Sequence, residues 1–353
     1  MNKAMFNGLM ACLFVLVSTA AISAQTDEAK LIAEVYEKTK TAKTAADYNA
    51  IIQSCDKGLS LQTLSQNNKI YLNSLKAWAL DLRGLQRVEV IELLQAAKNP
   101  DQAKRAFDQS MEDLRLAAEL DPKRWQISFH RGVLQASMGE YEKAIDDFSS
   151  AIAVQPKETS PRFNRAECLY QSGEYEKALV DYQKVLEVSP GDVQAITGQA
   201  HCLTALGRTE ESIKEYNVVI KFQQGKAWPL ANRGDAYAKS QQWSLAYKDY
   251  NAALKIEQTA DIYRRLAWLL STCPDEEYFR PQTAVELARK AIDLEGEDAP
   301  RLDALAASLA SSGYFEEAVP LQEKAVKLAS FNKSQMETRL TMYREKKAFL
   351  QEK

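Results

Sequence analysis

Only two histidines, His130 and His201, occur in the 353 residues, and no Cys-x-x-Cys pair is present. Zinc-type sites need such ligands at close spacing, so no metal is expected. The 13 glycines never gather into a phosphate-cradling loop, and no cofactor is expected either. No apolar run approaches the ~18–20 residues that span a bilayer. A formal net charge of -3 gives no strong field of one sign, so nucleic acid is not an expected partner. With 26% charged residues the chain is neither collagen-like nor broadly disordered.

The one early apolar run, Leu9 to Val17, follows a lone charge, Lys3, and precedes Ala20-Ala21-Ile22-Ser23-Ala24. That order is the pattern of a secretory signal over 1–24 with cleavage after Ala24, so an exported protein, periplasmic or secreted, is expected. Membrane association is expected only if the segment stays uncleaved or is lipidated. Leu9-Met10-Ala11-Cys12 looks like a lipoprotein box, but the apolar run continues beyond Cys12.

What the sequence does contain is a repeat. Four blocks beginning at Trp125, Thr159, Val193 and Ala227 superimpose without a gap at a step of 34 residues. Gly132, Ala166, Ala200 and Gly234 share one place in the block, and Ala144, Ala178, Ser212 and Ala246 share another, twelve residues on. Antiparallel helices approach closely only where side chains are small, so these columns predict the contacts of a helical hairpin. Phe148, Tyr182, Tyr216 and Tyr250 form a bulky column that fills the space between. Gly139, Gly173 and Gly207 mark the turn between the helices, with Gln241 the exception, while Pro156 and Pro190 close the unit.

These columns resemble the tetratricopeptide repeat family. The resemblance implies an all-α fold, a right-handed superhelical α-solenoid of tandem helix-turn-helix repeats with a C-terminal capping helix. Outside the four regular repeats of 125–260, residues 25–122 are expected to form divergent helical repeats, with 86–100 as an extra segment. Residues 261–332 are expected to form two more repeats, the first carrying a five-residue insertion between Ala267 and Ala284. An amphipathic helix, Ser334 to Gln351, should cap the stack within 333–353. The Leu269–Asp275 stretch is similar to a variant repeat of exported bacterial proteins.

No catalytic constellation is legible, and an enzyme is not expected. Cys273, beside Pro274 in the inserted loop, is the one candidate for a thiol-dependent activity. Cys168 and Cys202 stand 34 apart, at equivalent places of neighbouring repeats. Helix axes at roughly 8–10 Å exceed the ~6.8 Å that a disulfide spans between Cα atoms, so both are expected as buried thiols. The acidic pairs Asp146-Asp147 and Glu210-Glu211 are expected on solvated faces. In the family, the second, fifth, ninth and twelfth places of each repeat line the concave groove. Carried onto this chain, the resemblance implies partner-binding residues Phe129, Phe163, Glu167, Tyr170, His201, Trp228 and Asp235. The fifth and ninth places lack the Lys and Asn that clamp a terminal carboxylate, so a basic or neutral protein or peptide segment is the expected partner. The resulting expectation is an exported scaffold that supports assembly of an envelope complex, with a structural homo-oligomer as the alternative.

Overall fold

In a computed structural model the described residues are 27–62, 64–329 and 332–351; the signal expected at 1–24 lies outside them. Eighteen helices and no strand occur among them. They divide into two compact units, the first ending at Pro161 and the second running from Arg162.

The first unit holds α1 (Asp27–Thr41), α2 (Ala45–Leu59), α3 (Gln66–Leu85), α4 (Arg87–Ala96), α5 (Pro100–Leu120), α6 (Trp125–Ser137) and α7 (Tyr141–Val154), and the start of α8 (Thr159–Gln171). The extra segment is thus a ten-residue helix, α4, between two paired helices. Thr44 caps α2 reciprocally: its hydroxyl accepts from the Asp47 N–H, and the Asp47 carboxylate accepts from the Thr44 N–H at 2.9 Å. The second unit continues with α9 (Tyr175–Val188), α10 (Val193–Ala205), α11 (Thr209–Phe222), α12 (Trp228–Lys239), α13 (Trp243–Ile256), α14 (Ala260–Thr272), α15 (Pro281–Glu295), α16 (Ala299–Ser311), α17 (Phe315–Leu328) and α18 (Lys333–Arg344).

The small-residue columns are where paired helices touch. A Cβ on Gly132 would stand 2.7 Å from the Phe148 ring, and one on Gly234 would stand 2.7 Å from the Tyr250 ring. In the four regular repeats each turn from first to second helix uses one residue in the left-handed region. Gly139, Gly173 and Gly207 take φ of 75°, 80° and 73°, and Gln241 takes 63° at the fourth turn. The same hydrogen bonds close each turn, as in Glu174 N–H to Leu169 O at 2.8 Å and Gln242 N–H to Tyr237 O at 2.9 Å. A side chain in that region costs about 1–2 kcal/mol, part of which glycine returns as lost chain entropy. Gln241→Gly is therefore expected to stabilise the fold by about 0.5–1 kcal/mol, read as a higher midpoint in thermal unfolding. An unchanged or lowered midpoint would contradict this reading of the turn.

A second column binds the hairpins together, and it corrects one expectation. Asp147 is not on a solvated face. It is buried and ion-paired to Arg131, whose Nε donates at 2.7 Å, while its neighbour Asp146 is exposed. The pair recurs sixteen residues apart as Arg165–Asp181 and Arg233–Asp249, each bidentate at 2.7–2.8 Å. In the third block both members change together, and the Gln199 amide donates to Glu215 at 3.3 Å. Glu210 and Glu211 are exposed as expected.

Cys55, Cys168, Cys202 and Cys273 are all unbridged and buried. Burial pushes the thiols of Cys55, Cys168 and Cys202 up to about 12. Cys273 is in the inserted loop as expected but is not placed as a reactive thiol. It stands just past α14, at the start of the loop, but at 0% exposure, and burial raises its pKa as well, which opposes the thiolate that nucleophilic chemistry needs.

Candidate functional site

Residues one place beyond the small column lie on a face of the first helices that still reaches the bulky column of the same hairpin, as Glu167 does Tyr182 and Asp235 does Tyr250. In the second unit these faces belong to α8, α10 and α12, and they border a cleft of about 520 Å³. Phe163 and Glu167 come from α8, Gln194, Thr197 and His201 from α10, and Trp228 from the start of α12, with Gln223 just past the end of α11. Four of the seven residues expected to bind a partner therefore meet around one space. Trp228 is 38% exposed, a large apolar ring left open to solvent at its rim. Phe163 packs edge-on against Tyr182 at 5.8 Å between centroids, which holds one wall in place.

Tyr170 does not line the cleft but stands behind it, its ring 6.0 Å from that of His201. Asp235 also lies outside the lining. It is committed to the fold: the Tyr250 hydroxyl donates to its Oδ1 at 2.6 Å, and Arg265 pairs with its Oδ2. Arg265 is held in turn by Asp261 at 2.6 Å. Phe129 belongs to the first unit, where it packs on Trp125, His130 and Phe148 at centroid distances of 5.4–5.8 Å.

His201 is sandwiched between Tyr170 and Tyr216, each 6.0 Å away ring to ring, and burial lowers its pKa. It thus faces the cleft as a neutral imidazole at pH 7. Glu167 Oε1 accepts from the Tyr182 hydroxyl, while the side chain still lines the cleft. The bulky column is therefore more than filling: Tyr182 and Tyr250 use their hydroxyls to orient the acid fifteen residues earlier. The sequence carries a signal for it, since blocks with an acid after the small column have Tyr, and the block with Val133 has Phe148.

Chemically, the cleft offers two aromatic faces, one carboxylate, amides from Gln194 and Gln223, and the neutral ring of His201. It contains no nucleophile with a base. Among the described residues no group of three His, Cys, Asp or Glu side chains could hold a metal ion. No helix of the described residues is long and apolar enough to cross a membrane.

The family model for the protein kinase G tetratricopeptide repeat matches residues 59–224. No curated protein matches the sequence. Among solved structures, a tetratricopeptide repeat protein from Parabacteroides merdae is similar at 16% identity and a TM-score of 0.61, the match covering 73% of this chain and 99% of that one. Yeast Tom70 is similar at 16% identity and a TM-score of 0.51, over 92% of this chain and 66% of that one.

Proposed function

Because the chain is a tetratricopeptide-repeat protein, and such proteins are protein-interaction scaffolds, we propose that it holds an extended polypeptide segment in the cleft between Phe163 and Trp228. The single observation that carries this reading is that Phe163, Glu167, His201 and Trp228, from three successive first helices, border one open space. Aromatic rings with solvent access are the groups that anchor a partner most strongly. Glu167 favours a donor, and with no cation lining the cleft a basic or neutral segment is accommodated better than an acidic one.

The reading extends to place and setting. The signal pattern of 1–24 supports export with cleavage after Ala24, and a scaffold in that compartment would serve assembly of an envelope complex. The test is recovery of crosslinked partners from the native cell by the parent protein and by a Phe163→Ala/Trp228→Ala variant. The variant is expected to lose at least tenfold in recovery of a specific partner while keeping its helical circular-dichroism signal. Equal recovery of every partner by both proteins would overturn the proposal.

A further inference from the structure

The expected capping helix is present but shorter than expected. α18 stops at Arg344 rather than running to Gln351. It closes with the turn used at the end of the first helices: Lys346 is left-handed at φ 57°, and the Lys347 N–H donates to Met342 O at 2.9 Å. In the complete repeats that turn leads into a second helix. Here residues 347–351 run without regular structure back to α14.

What they meet there is a small, complete set of recognition contacts. The Phe349 ring lies on Trp268 with centroids 5.9 Å apart. The Arg339 guanidinium stands 5.1 Å from the Trp268 centroid and 5.6 Å from that of Phe349, and Asp303 fixes it through bonds of 2.9 and 2.7 Å. The Gln351 backbone N–H donates to Thr272 O at 2.7 Å, and its side-chain amide donates to Thr272 Oγ1 at 2.7 Å. Trp268 directly follows Ala267, so it stands at the place held by Glu167, His201 and Asp235 in earlier repeats. The tail therefore sits on the face of α14 that corresponds to the cleft face of α8 and α10.

We propose that this face, between Trp268 and Thr272 and flanked by Arg339, is a peptide seat for an extended segment carrying an aromatic residue and, two residues on, a side-chain amide. The chain's own tail fills it in cis as a displaceable ligand. Main-chain hydrogen bonding plus one anchored ring is the way extended peptides are bound, in contrast to the interdigitated packing of a helix. Leu350, between the two anchoring residues, is 46% exposed, so the tail holds the seat through Phe349 and Gln351 without its leucine. Its hold comes largely from tethering, which presents the segment at an effective concentration on the order of millimolar. A competing peptide must exceed that, or the tail must be weakened. The inference goes beyond the Phe163–Trp228 cleft and stands or falls separately from it.

The test uses the full chain and a labelled synthetic peptide of residues 345–353, read by fluorescence anisotropy. Phe349→Ala in the chain empties the seat, and this variant is expected to bind the peptide at least tenfold more tightly than the parent. Adding Trp268→Ala should remove the binding. Equal affinity for parent and Phe349→Ala, or no binding to either, would overturn the proposal. So would a parent that dimerises in solution and becomes monomeric with Phe349→Ala, since the tail would then act between copies. Hydrogen exchange on the parent gives an answer without any variant: the Gln351 amide should exchange through a local opening at least tenfold faster than the amides of α14. Exchange of Gln351 only together with α14 would make the tail part of the core.

Discussion

Gly198→Val is expected to destabilise the second unit by roughly 1.5–3.5 kcal/mol and to close the cleft from within. Gly198 lies on α10 and is buried, and its α-carbon faces the Tyr182 ring of the preceding hairpin. A Cβ at this position would stand 2.3, 2.5 and 2.8 Å from three ring atoms, well inside contact distance. The ring cannot swing away freely, because Tyr182 is buried, stacked edge-on with Phe163, and bonded through its hydroxyl to Glu167. Overpacking of this kind typically costs 1–3 kcal/mol, occasionally more. Loss of the hydroxyl bond adds about 1, and valine's better helix propensity returns about 0.5. Chemical denaturation followed by circular dichroism measures the sum. Truncating the opposing side makes the effect specific: Tyr182→Leu should recover much of the stability lost in Gly198→Val, a coupling that two independent sites would not show. Additive losses in the double variant would mean that the two residues do not press on one another as described.

The second large effect is expected at Asp181. At 3% exposure it accepts two bonds from Arg165, 2.7 and 2.8 Å long, with Arg162 a further 3.9 Å away. Asp181→Ala leaves the Arg165 guanidinium without its carboxylate beside a buried helix contact. Removing one partner of a fully buried pair costs about 3–5 kcal/mol. The Arg165 side chain keeps 23% of its surface, so water recovers part of this, and about 2–3 kcal/mol is the expected loss. The molecule suggests its own control. Its third block replaces the pair by Gln199 and Glu215. Arg165→Gln together with Asp181→Glu should therefore lie within about 1 kcal/mol of the parent, although each change alone costs more. Urea unfolding of the parent, the two single variants, the double variant and Asp181→Ala decides this; a double variant as unstable as Asp181→Ala would contradict a paired role.

The regular hairpins were legible because their columns record sterics that act at one residue at a time. Trp125, Thr159 and Val193 each begin both a sequence block and a helix, and the glycines of the turn column take left-handed φ. Four features were not legible for the same reason. Asp147 has the composition of a solvated position, and only its recurrence sixteen residues after an arginine reveals the ion pair. Tyr182 and Tyr250 read as bulk, since a phenol oxygen shows its partner only when the helices meet. Cys273 precedes Pro274 and does open the loop after α14, but only the folded chain shows it buried there. The tail beyond Arg344 has the spacing of an amphipathic helix, but Trp268 and Thr272 give its polar and aromatic groups a better set of partners than solvent does. Of the candidate site, the periodic places found the residues of α8, α10 and α12 that meet at the cleft. Periodicity alone could not tell which would be left open, as Trp228 is, and which would be consumed by the fold, as Asp235 is.

The central claim is that the cleft of the second unit holds a polypeptide. Its most direct test places a photo-crosslinking benzoylphenylalanine at Gln194, in the cleft, or at Val180 on α9, which is likewise exposed. After irradiation in the native cell, a discrete crosslinked protein is expected from position 194 and not from 180, and it should disappear when Phe163 and Trp228 are both alanine. Crosslinks of equal yield from the two positions, or a product at 194 that survives loss of both rings, would contradict the claim.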